Sequence, residues 1–423
     1  MTDAAAPNIA AQRVARRHAA ERRFQWYGRA AILIALAFLA LLLGRIVLQG
    51  YTTFTDYRIS VPVYLDPARI DRGDPTGANY DLLVVEAVMA KLGLKDDDVG
   101  TISSKVTPLV SNDLGFQLLE KVRSDPGAIG QTVTVEGPIR ADAGLYYKGE
   151  MRRSSPEAER KLDNQQLDWL DKLKAEGVVK SGFNLGFLTR SDSTEPEQAG
   201  VWGAVVGSAM MLLVTALLSI PIGVLAAVYL EEFAPKNRWT DLIEVNINNL
   251  AAVPSIVYGL LGLAVFINWL HLPRSSPLVG GVVLALMALP TVIIATRSSL
   301  KAVPPSIREA ALGVGASRTQ AVFHHVLPLA LPGVMTGAIL SLAHALGETA
   351  PLLMVGMVAF VPAPPADFTS AATVMPVQIF IWENASERAF HERTAAAILV
   401  LLSFMIAMNL AAILVRRRFE RRW

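Results

Sequence analysis

The sequence predicts an all-α protein that crosses a membrane six times and carries one inserted α+β domain. The apolar residues, 52% of the 423-residue chain, gather into runs of about 20 residues, the length that crosses a hydrocarbon core about 30 Å thick. The charged residues, only 18%, lie mostly between those runs. A polar stretch of mixed charge, 51–198, follows the first run and is long enough for one small domain.

The composition excludes several kinds of chemistry. The chain has no cysteine, so disulfides, thiolate catalysis and cysteine-based metal sites are excluded. Its six histidines are scattered, without a pair at the spacing of a helical metal site, which argues against a metal enzyme. The net charge of +2 carries little information, because the placement of lysine and arginine orients a membrane chain. We expect no nucleic-acid partner.

The N-terminal segment 1–29 is polar and basic, and the first apolar run, 30–48, follows it. We interpret this run as an uncleaved membrane anchor with a cytoplasmic leader. A cleaved signal peptide is the alternative, but its basic leader would be shorter, and no A-x-A-like site follows Leu48. Arg45 lies near the far end of the run, where its long side chain can reach the outer interface.

The polar stretch combines strand and helix patterns. Its predicted strands are 58–65 and 131–136, and its clearest predicted helices are 80–92 and 154–176. We place Ser155 and Pro156 in the cap and first-turn positions of the second helix. Leu162, Leu170 and Leu173 recur there at helical spacing. These patterns predict a soluble α+β domain held without disulfides.

Five further apolar runs follow this domain. The predicted spans lie at about 201–230, 245–270, 278–295, 329–360 and 394–415, within a membrane core of 201–417. The apolar piece 374–382 is too short to span and is expected to lie at the interface or dip into it.

The basic segments divide the chain into two sides. Six crossings place the leader, the loops 231–241 and 297–328 and the arginine-rich tail after Val415 on one side. Cytoplasmic segments are enriched in lysine and arginine, so we assign that side to the cytoplasm. The domain 51–198 and the loop 361–393 then face outward.

The basic loop between the fourth and fifth spans contains a predicted elbow, 306–316. Two prolines precede a short helix whose apolar residues fall at i, i+3, i+4 and i+7, namely Ile307, Ala310, Ala311 and Val314. Gly315 then stands where a helix C-terminus favours a left-handed residue, and Ser317 can cap a second helix. Such an elbow suits docking in a protein cleft, and a surface elbow that only links two spans is an equal alternative.

The elbow resembles a known motif. Glu309-Ala310-Ala311, then Gly315, then Leu327-Pro328 is similar to the EAA motif of the permeases of ATP-binding-cassette (ABC) importers. The resemblance implies a MetI-like permease core in which the elbow is the coupling helix gripped by a cytoplasmic ATPase dimer. His325 departs from the family, which has an apolar residue there. The chain has no G-x-x-x-x-G-K-[ST] loop, so we expect no enzyme and no cofactor here, with ATP and Mg²⁺ bound by the partner.

The fifth apolar run contains ionisable residues and a proline. His344 and Glu348 stand four apart, hence on one helical face, and Pro351 should kink or break the helix near Gly347. Freed backbone groups at membrane depth are tolerated only against protein or a watery cavity. An ionisable side chain at that depth usually faces a pathway. A carboxylate that pairs with a neighbouring helix to fix packing is the alternative.

Three segments resemble the phosphate permeases of the PstA type. They are Ala345-Leu346-Gly347-Glu348-Thr349-Ala350-Pro351-Leu352, the run from Asn249 to Gly259, and Pro376-Val377-Gln378-Ile379 before Trp382. The resemblance covers about 200–417 and implies a bacterial inner-membrane location. The implied partners are a second permease subunit, the ATPase and a periplasmic phosphate-binding protein. The outward domain resembles the extra N-terminal region of the longer members.

The tentative translocation-path residues are Arg297, His344, Glu348 and Thr349. Arginine suits phosphate oxygens, although a positive-inside anchor explains Arg297 equally well. Family members often carry arginine where this chain has His344. Glu348 would repel phosphate, so we expect it to pair with a cation or to gate the path. The alternatives are import of molybdate or sulfate, a membrane sensor that uses the outward domain, and a membrane enzyme.

Overall fold

The N-terminal helix is longer than the predicted anchor. In the computed structural model, which describes residues 9–94 and 99–419, α1 (Ile9–Gly50) is one helix of 42 residues. Its length of about 63 Å, at 1.5 Å per residue, is about twice the thickness of a hydrocarbon core. The described part of the predicted leader therefore continues the anchor helix, and residues 1–8 lie outside the described residues.

A three-stranded antiparallel sheet follows α1. It consists of β1 (Thr55–Tyr64), β2 (Thr132–Pro138) and β3 (Val179–Phe183), with β1 in the middle. Val61 pairs with Val135, and Arg58 pairs with Lys180. The two predicted strands are confirmed, and β3 was not predicted, because its Lys-Ser-Gly sequence shows no apolar alternation.

Helices cover this sheet and complete the α+β domain. They are α2 (Tyr80–Leu92), α3 (Val99–Val106), α4 (Asp113–Ser124), α5 (Ala141–Tyr147), α6 (Asn164–Ala175) and α7 (Leu185–Thr189). The bounds of α2 agree with the prediction. The predicted start of the second helix at Ser155 is wrong, because Asp163 and Gln166 form a capping box that caps α6 eight residues later. The predicted apolar residues Leu162, Leu170 and Leu173 are buried in the domain core.

The second half of the chain is a bundle of helices. It begins with α8 (Trp202–Val228), α9 (Arg238–Ala251), α10 (Ser255–Leu261), which continues as a π-helix to Trp269, and α11 (Pro277–Lys301). Then come α12 (Pro305–Gly313), α13 (Arg318–Gln320), α14 (Leu327–Gly347), α15 (Ala350–Met354), α16 (Met375–Glu383) and α17 (Arg388–Phe419). Residues 420–423 of the predicted basic tail lie outside the described residues.

Within residues 9–94 and 99–419, five helices are long and apolar enough to cross a membrane: α1, α8, α11, α14 and α17. The pair α9 and α10 gives a sixth crossing if it counts as one bent span, which agrees with the predicted number. The predicted continuous span 245–270 is wrong, since the two helices meet at 103°. Pro254 lacks an N–H and keeps Val253 out of the α region, so the helix breaks there.

Side-chain contacts show the direction in which the helices run. Thr215 of α8 donates a hydrogen bond to the Gly281 carbonyl of α11 (3.2 Å), and further along Gly223 lies against Val292. The two helices are therefore parallel. The chain between them must return to the face where α8 begins, and the bent pair α9–α10 makes that return.

The bundle consequently has two different ends. Helix α14 runs antiparallel to α11, since Gly333 lies against Ser299 and Ser341 donates to the Ala288 carbonyl (3.3 Å). Gly50 at the end of α1 packs on α17 near that helix's first turns. The α+β domain thus lies where α1 ends and α8, α11 and α17 begin, which we call the domain end. The loop with α12 lies at the opposite end, which we call the elbow end.

The short apolar piece does not span, as predicted. Helix α16 has nine residues and packs inside the protein at the domain end. Its Trp382 is buried and donates its indole N–H to Asp192 (3.0 Å), and the Ser208 hydroxyl accepts the Met375 N–H (2.9 Å). Because these bonds join α16 to α8 and to the chain before it, α16 connects the bundle to the α+β domain.

Candidate coupling and translocation sites

The elbow has the predicted form of helix, glycine and second helix. Helix α12 begins after Pro304 and ends at Gly313. Gly315 has a φ of +89°, and the Ala316 N–H bonds back to the Ala311 carbonyl (3.0 Å), which closes the helix as a left-handed glycine does. Ser317 caps α13 in a capping box, as expected. The local sequence alone therefore determines this turn.

One arginine fixes the elbow to the bundle. The Arg308 guanidinium contacts the Glu232 carboxylate at 2.6 Å and also donates to the carbonyls of Val303 (2.8 Å) and Leu300 (2.9 Å). The Glu232 side chain is only 8% exposed. We call the pair Arg308 and Glu232 the elbow clamp. It joins α12 to the turn that ends α8.

The elbow packs on one side and leaves the other side open. Ile307 lies against an apolar cluster that includes Leu300 and Val322, and Ala311 is buried. The exposed residues are Glu309, Ala310, Leu312 (50% exposed) and Val314 (86% exposed). The predicted apolar stripe is therefore split, because Ala310 is turned about 100° from Ala311 and Val314 follows the end of the helix.

The last two motif residues start the next long helix. Leu327 is half-buried against the same cluster, and Pro328 is the second residue of α14, directly after a π-helix, Ala321–Val326, that joins α13 to α14. His325, which departs from the family pattern, is exposed. Its imidazole therefore interrupts no packing inside this chain.

The predicted break in the fifth run is present. Helix α14 ends at Gly347, Glu348 is extended with a ψ of 129°, and α15 begins at Ala350. Pro351 thereby falls in the first turn of α15, where proline is tolerated. The His344 Nε2 atom lies 3.3 Å from the Glu348 Oε1 atom, with His344 70% and Glu348 19% exposed.

This break faces the other interrupted helix. Gly259 of α10 lies against Pro351 and Met354, so closely that a Cβ at Gly259 would come within 2.6 Å of the Pro351 Cα atom. The Tyr258 hydroxyl donates to the Leu250 carbonyl (2.9 Å) and so ties α10 back to the end of α9. Interrupted helices that meet in a membrane bundle are where transporters place their ligand paths.

Arg297 does not belong to that region. Its guanidinium pairs with Glu231 (3.2 Å) and Glu244 (2.9 Å), and its side chain is only 14% exposed. The contact between Ser341 of α14 and Ala288 of α11 shows how the two helices are aligned. Along the axis of α11, Arg297 lies about 20 Å from the level of His344. The structure therefore brings His344, Glu348 and Thr349 together and leaves Arg297 at the elbow end, already neutralised.

At the domain end a buried ion pair joins the α+β domain to α17. The Lys148 ammonium lies 2.8 Å from the Glu392 carboxylate, with side chains 14% and 10% exposed. Next to it, the buried Arg393 donates to the Ala199 carbonyl (2.6 Å). We call Lys148, Glu392 and Arg393 the domain junction. Burial lowers the pKa of Lys148 against the opposing effect of Glu392, and burial raises the pKa of the neighbouring Asp56.

Sequence reasoning missed the carboxylates that pair with Arg297, Arg308 and Lys148. Glu231 and Glu232 directly follow an apolar run and precede a basic loop, and this placement could have predicted ion pairs at the elbow end. The junction pair left no such signal, because Lys148 and Glu392 are 244 residues apart.

Comparison with known families accounts for both halves of the chain. A family described as "Binding-protein-dependent transport system inner membrane component" matches residues 219–423. A family described as "Domain of unknown function (DUF3333)" matches residues 11–157. The second match includes α1, β1 and β2, so it begins in the membrane anchor and extends through most of the α+β domain.

Several curated relatives are transport permeases. "Phosphate transport system permease protein PstA 1" of Mycobacterium tuberculosis (strain ATCC 25618 / H37Rv) is 33% identical over 52% of this chain and 71% of its own length. PstA of Yersinia pestis is 28% identical over 58% of this chain and 83% of its own length. "Probable ABC transporter permease protein YqgI" of Bacillus subtilis (strain 168) is 35% identical over 42% of this chain, and the match spans 59% of that relative.

A solved chain of the inward-facing MetNI methionine ABC transporter matches 52% of this chain and 98% of its own, with a TM-score of 0.43 and 18% identity. The sequence matches to the permeases confirm the resemblance that the elbow motif suggested, and these relatives are transporter subunits rather than enzymes. The chain therefore belongs to the family of binding-protein-dependent transport system inner membrane components, as a multi-pass, PstA-like permease subunit of an ABC importer.

Proposed function

We propose that this chain forms half of the translocation path of an importer for inorganic phosphate. The substrate is taken from the PstA relatives, which are named as phosphate permeases. The observation that carries the coupling part of the proposal is the elbow, which is clamped to α8 on one side and exposes Leu312 and Val314 on the other. Apolar side chains exposed in this way mark a surface for a protein partner.

That partner would be a cytoplasmic ATPase dimer, which binds ATP and Mg²⁺. Closure of the dimer would displace the coupling helix 306–316, and the elbow clamp would pass the displacement to α8. Since α8 packs along α11, the whole bundle then rocks between two arrangements. A second permease subunit would complete the path, and a periplasmic phosphate-binding protein would deliver the anion at the domain end.

Within the path, Glu348 and Thr349 stand at the break between α14 and α15. The His344 imidazole lies beside Glu348 and can serve as the partner of this carboxylate. We therefore assign the pair to gating rather than to phosphate binding. Arg297 is assigned to fixing the elbow end, because two carboxylates already occupy its guanidinium. An elbow that binds a cytoplasmic ATPase must face the cytoplasm, and in this proposal both termini lie on that side as well.

Uptake measurements test the substrate. A strain that lacks its own phosphate permeases should take up labelled phosphate when it carries this chain with its partner subunits, and much less without the chain. Labelled sulfate and molybdate are measured in parallel. Uptake of either oxyanion in place of phosphate would contradict phosphate as the substrate but would still agree with an importer. No uptake of any of the three anions would contradict the transport proposal.

Co-purification tests the coupling. Glu309→Lys, on the exposed side of the elbow, should reduce the amount of ATPase recovered with the chain. Glu120→Lys, an exposed charge reversal in the α+β domain, is the matched control and should leave recovery unchanged. Equal ATPase recovery for the two variants would show that Glu309 of the elbow does not contribute to ATPase binding.

A further inference from the structure

A cavity of about 750 Å³ opens at the domain end, outside the region where the interrupted helices meet. Gln49, at the end of α1, lines it together with Arg388 and His391 of the first turn of α17. Glu392 of α17 and residues of the segment 142–161 of the α+β domain line the remainder. The cavity therefore lies where two apolar helices meet the polar domain, which is the level at which phospholipid headgroups surround such helices.

The charges in this cavity are unbalanced. Lys161 pairs with Asp142 (3.4 Å), and Glu392 is held by Lys148 in the domain junction. The remaining ionised side chains of the lining are three guanidinium groups and one carboxylate, namely Arg152, Arg160, Arg388 and Glu150. Within residues 9–94 and 99–419, Arg152 and Arg388 form no ion pair. Among the described residues, the cavity lining thus carries a net positive charge that no carboxylate neutralises.

Arg160 adds a second, independent observation. Its Nη2 atom donates to the Asn164 side chain (2.7 Å), but its Nε and Nη1 atoms are shielded from solvent and have no hydrogen-bond partner. Buried charged donors are nearly always paired, because leaving them unmade is costly. The three nitrogens of a guanidinium form a planar fork that fits the oxygens of a phosphate group.

We propose that this cavity binds a phosphate-bearing anion, with Arg152, Arg160 and Arg388 as its ligands. The phosphate group comes either from inorganic phosphate on the outer side or from the headgroup of an anionic phospholipid beside α1 and α17. The assignment is independent of the translocation path, because it concerns the α+β domain and the outer ends of two peripheral helices. It gives the domain a binding role of its own.

Binding to the full chain tests this site. The chain is purified into nanodiscs of phosphatidylcholine, and two probes are measured separately: labelled orthophosphate, and phosphatidylglycerol added to the discs and detected as retained lipid. Arg152→Gln with Arg160→Gln should weaken binding of one probe about tenfold or more, since each lost charge-assisted bond contributes about that factor. Arg388→Gln, on the other wall, should act in the same direction without altering the domain's own packing.

The matched control is Arg123→Gln, which removes an exposed arginine of α4 that does not line the cavity. Loss of orthophosphate binding identifies a free-anion site, and loss of phosphatidylglycerol retention identifies a lipid site. If the cavity variants bind both probes as the control does, or if the unchanged chain binds neither probe, the proposal is wrong.

Discussion

The two ends of the bundle are fastened in different ways. At the elbow end, one arginine holds α12 through the elbow clamp, and the outer surface of the elbow is left with exposed apolar side chains. At the domain end, the junction buries charged groups of both signs, and the rings of Trp382 and Phe390 pack at 6.0 Å beside them. The elbow end is exposed to a partner, whereas the domain end is joined to the α+β domain by buried contacts within the chain.

This difference indicates which parts move together. The elbow is held through the clamp and one apolar side, and its other side is exposed, so a partner bound there can displace it and act on α8 through the clamp. A junction with buried charges is costly to separate, since an ion that loses its partner inside a protein keeps its desolvation penalty. We therefore expect the α+β domain to move as one body with the start of α17, while the elbow moves relative to its surroundings.

The largest effect is expected from breaking the domain junction. Lys148→Met leaves Glu392 buried without its cation and should lower the free energy of unfolding by about 3–5 kcal/mol. Thermal unfolding of the purified chain measures the change. Lys121→Met removes an exposed lysine 4.0 Å from Asp125 and should change stability by less than about 1 kcal/mol. Equal shifts for the two variants would show that the buried ion pair does not stabilise the domain end.

The elbow clamp is expected to contribute somewhat less. Arg308→Met should cost about 2–3 kcal/mol, because it removes charged hydrogen bonds and leaves Glu232 buried. Adding Glu232→Leu should restore most of that stability, since no unpaired charge then remains. Transport should nevertheless stay low in the double variant, in which nothing links α12 to α8 by charge. A double variant with normal uptake would show that the clamp transmits no force.

A methyl group at the contact between the interrupted helices should have a moderate effect. Gly259→Ala forces Pro351 and α15 to shift, and overpacking of this kind costs about 1–3 kcal/mol. We expect a several-fold fall in phosphate uptake. Gly44→Ala is the control, because its methyl group would lie more than 4 Å from every described atom beyond the neighbouring residues and backbone of its own helix. Unchanged uptake in Gly259→Ala would show that the contact between Gly259 and Pro351 is not needed for transport.

The smallest effect concerns the pH dependence of the domain end. Burial raises the pKa of Asp56 above its ordinary value of 3.8, so the folded chain holds this proton more tightly than the unfolded chain. The stability associated with this proton is fully present below pH 3.8 and is lost as the pH rises through the folded pKa. Asp56→Asn stays neutral throughout. It should therefore unfold at a higher temperature than the natural chain near pH 7, and the difference should vanish towards pH 4.

Local sequence predicted the parts of the molecule that short-range chemistry determines. The prolines before α12, the glycine after it and the capping Ser317 act within a few residues, so the elbow could be read from the sequence. The same holds for α2 and for the break near Pro351. The start of α6 was misplaced because Asp163 offered a better cap than Ser155, and both signals are present in the sequence.

Long-range pairing could not be predicted in this way. Arg297 looks like an anion ligand until Glu231 and Glu244 are brought to it from two other helices. The domain junction joins residues from opposite halves of the chain, and the unpaired arginines of the cavity are identified only once the paired ones are known. In each case the missing information was which charges the fold brings together.

The sidedness of the two ends tests the account most directly. The chain lacks cysteine, so Val314→Cys in the elbow and Ser154→Cys in the α+β domain each introduce one exposed thiol. A maleimide that does not cross membranes is applied to spheroplasts and to inverted vesicles. We predict that Ser154→Cys reacts only in spheroplasts and Val314→Cys only in inverted vesicles. Reaction of both thiols from the same side would contradict the separation of the two ends, and with it the coupling of the elbow to a cytoplasmic ATPase.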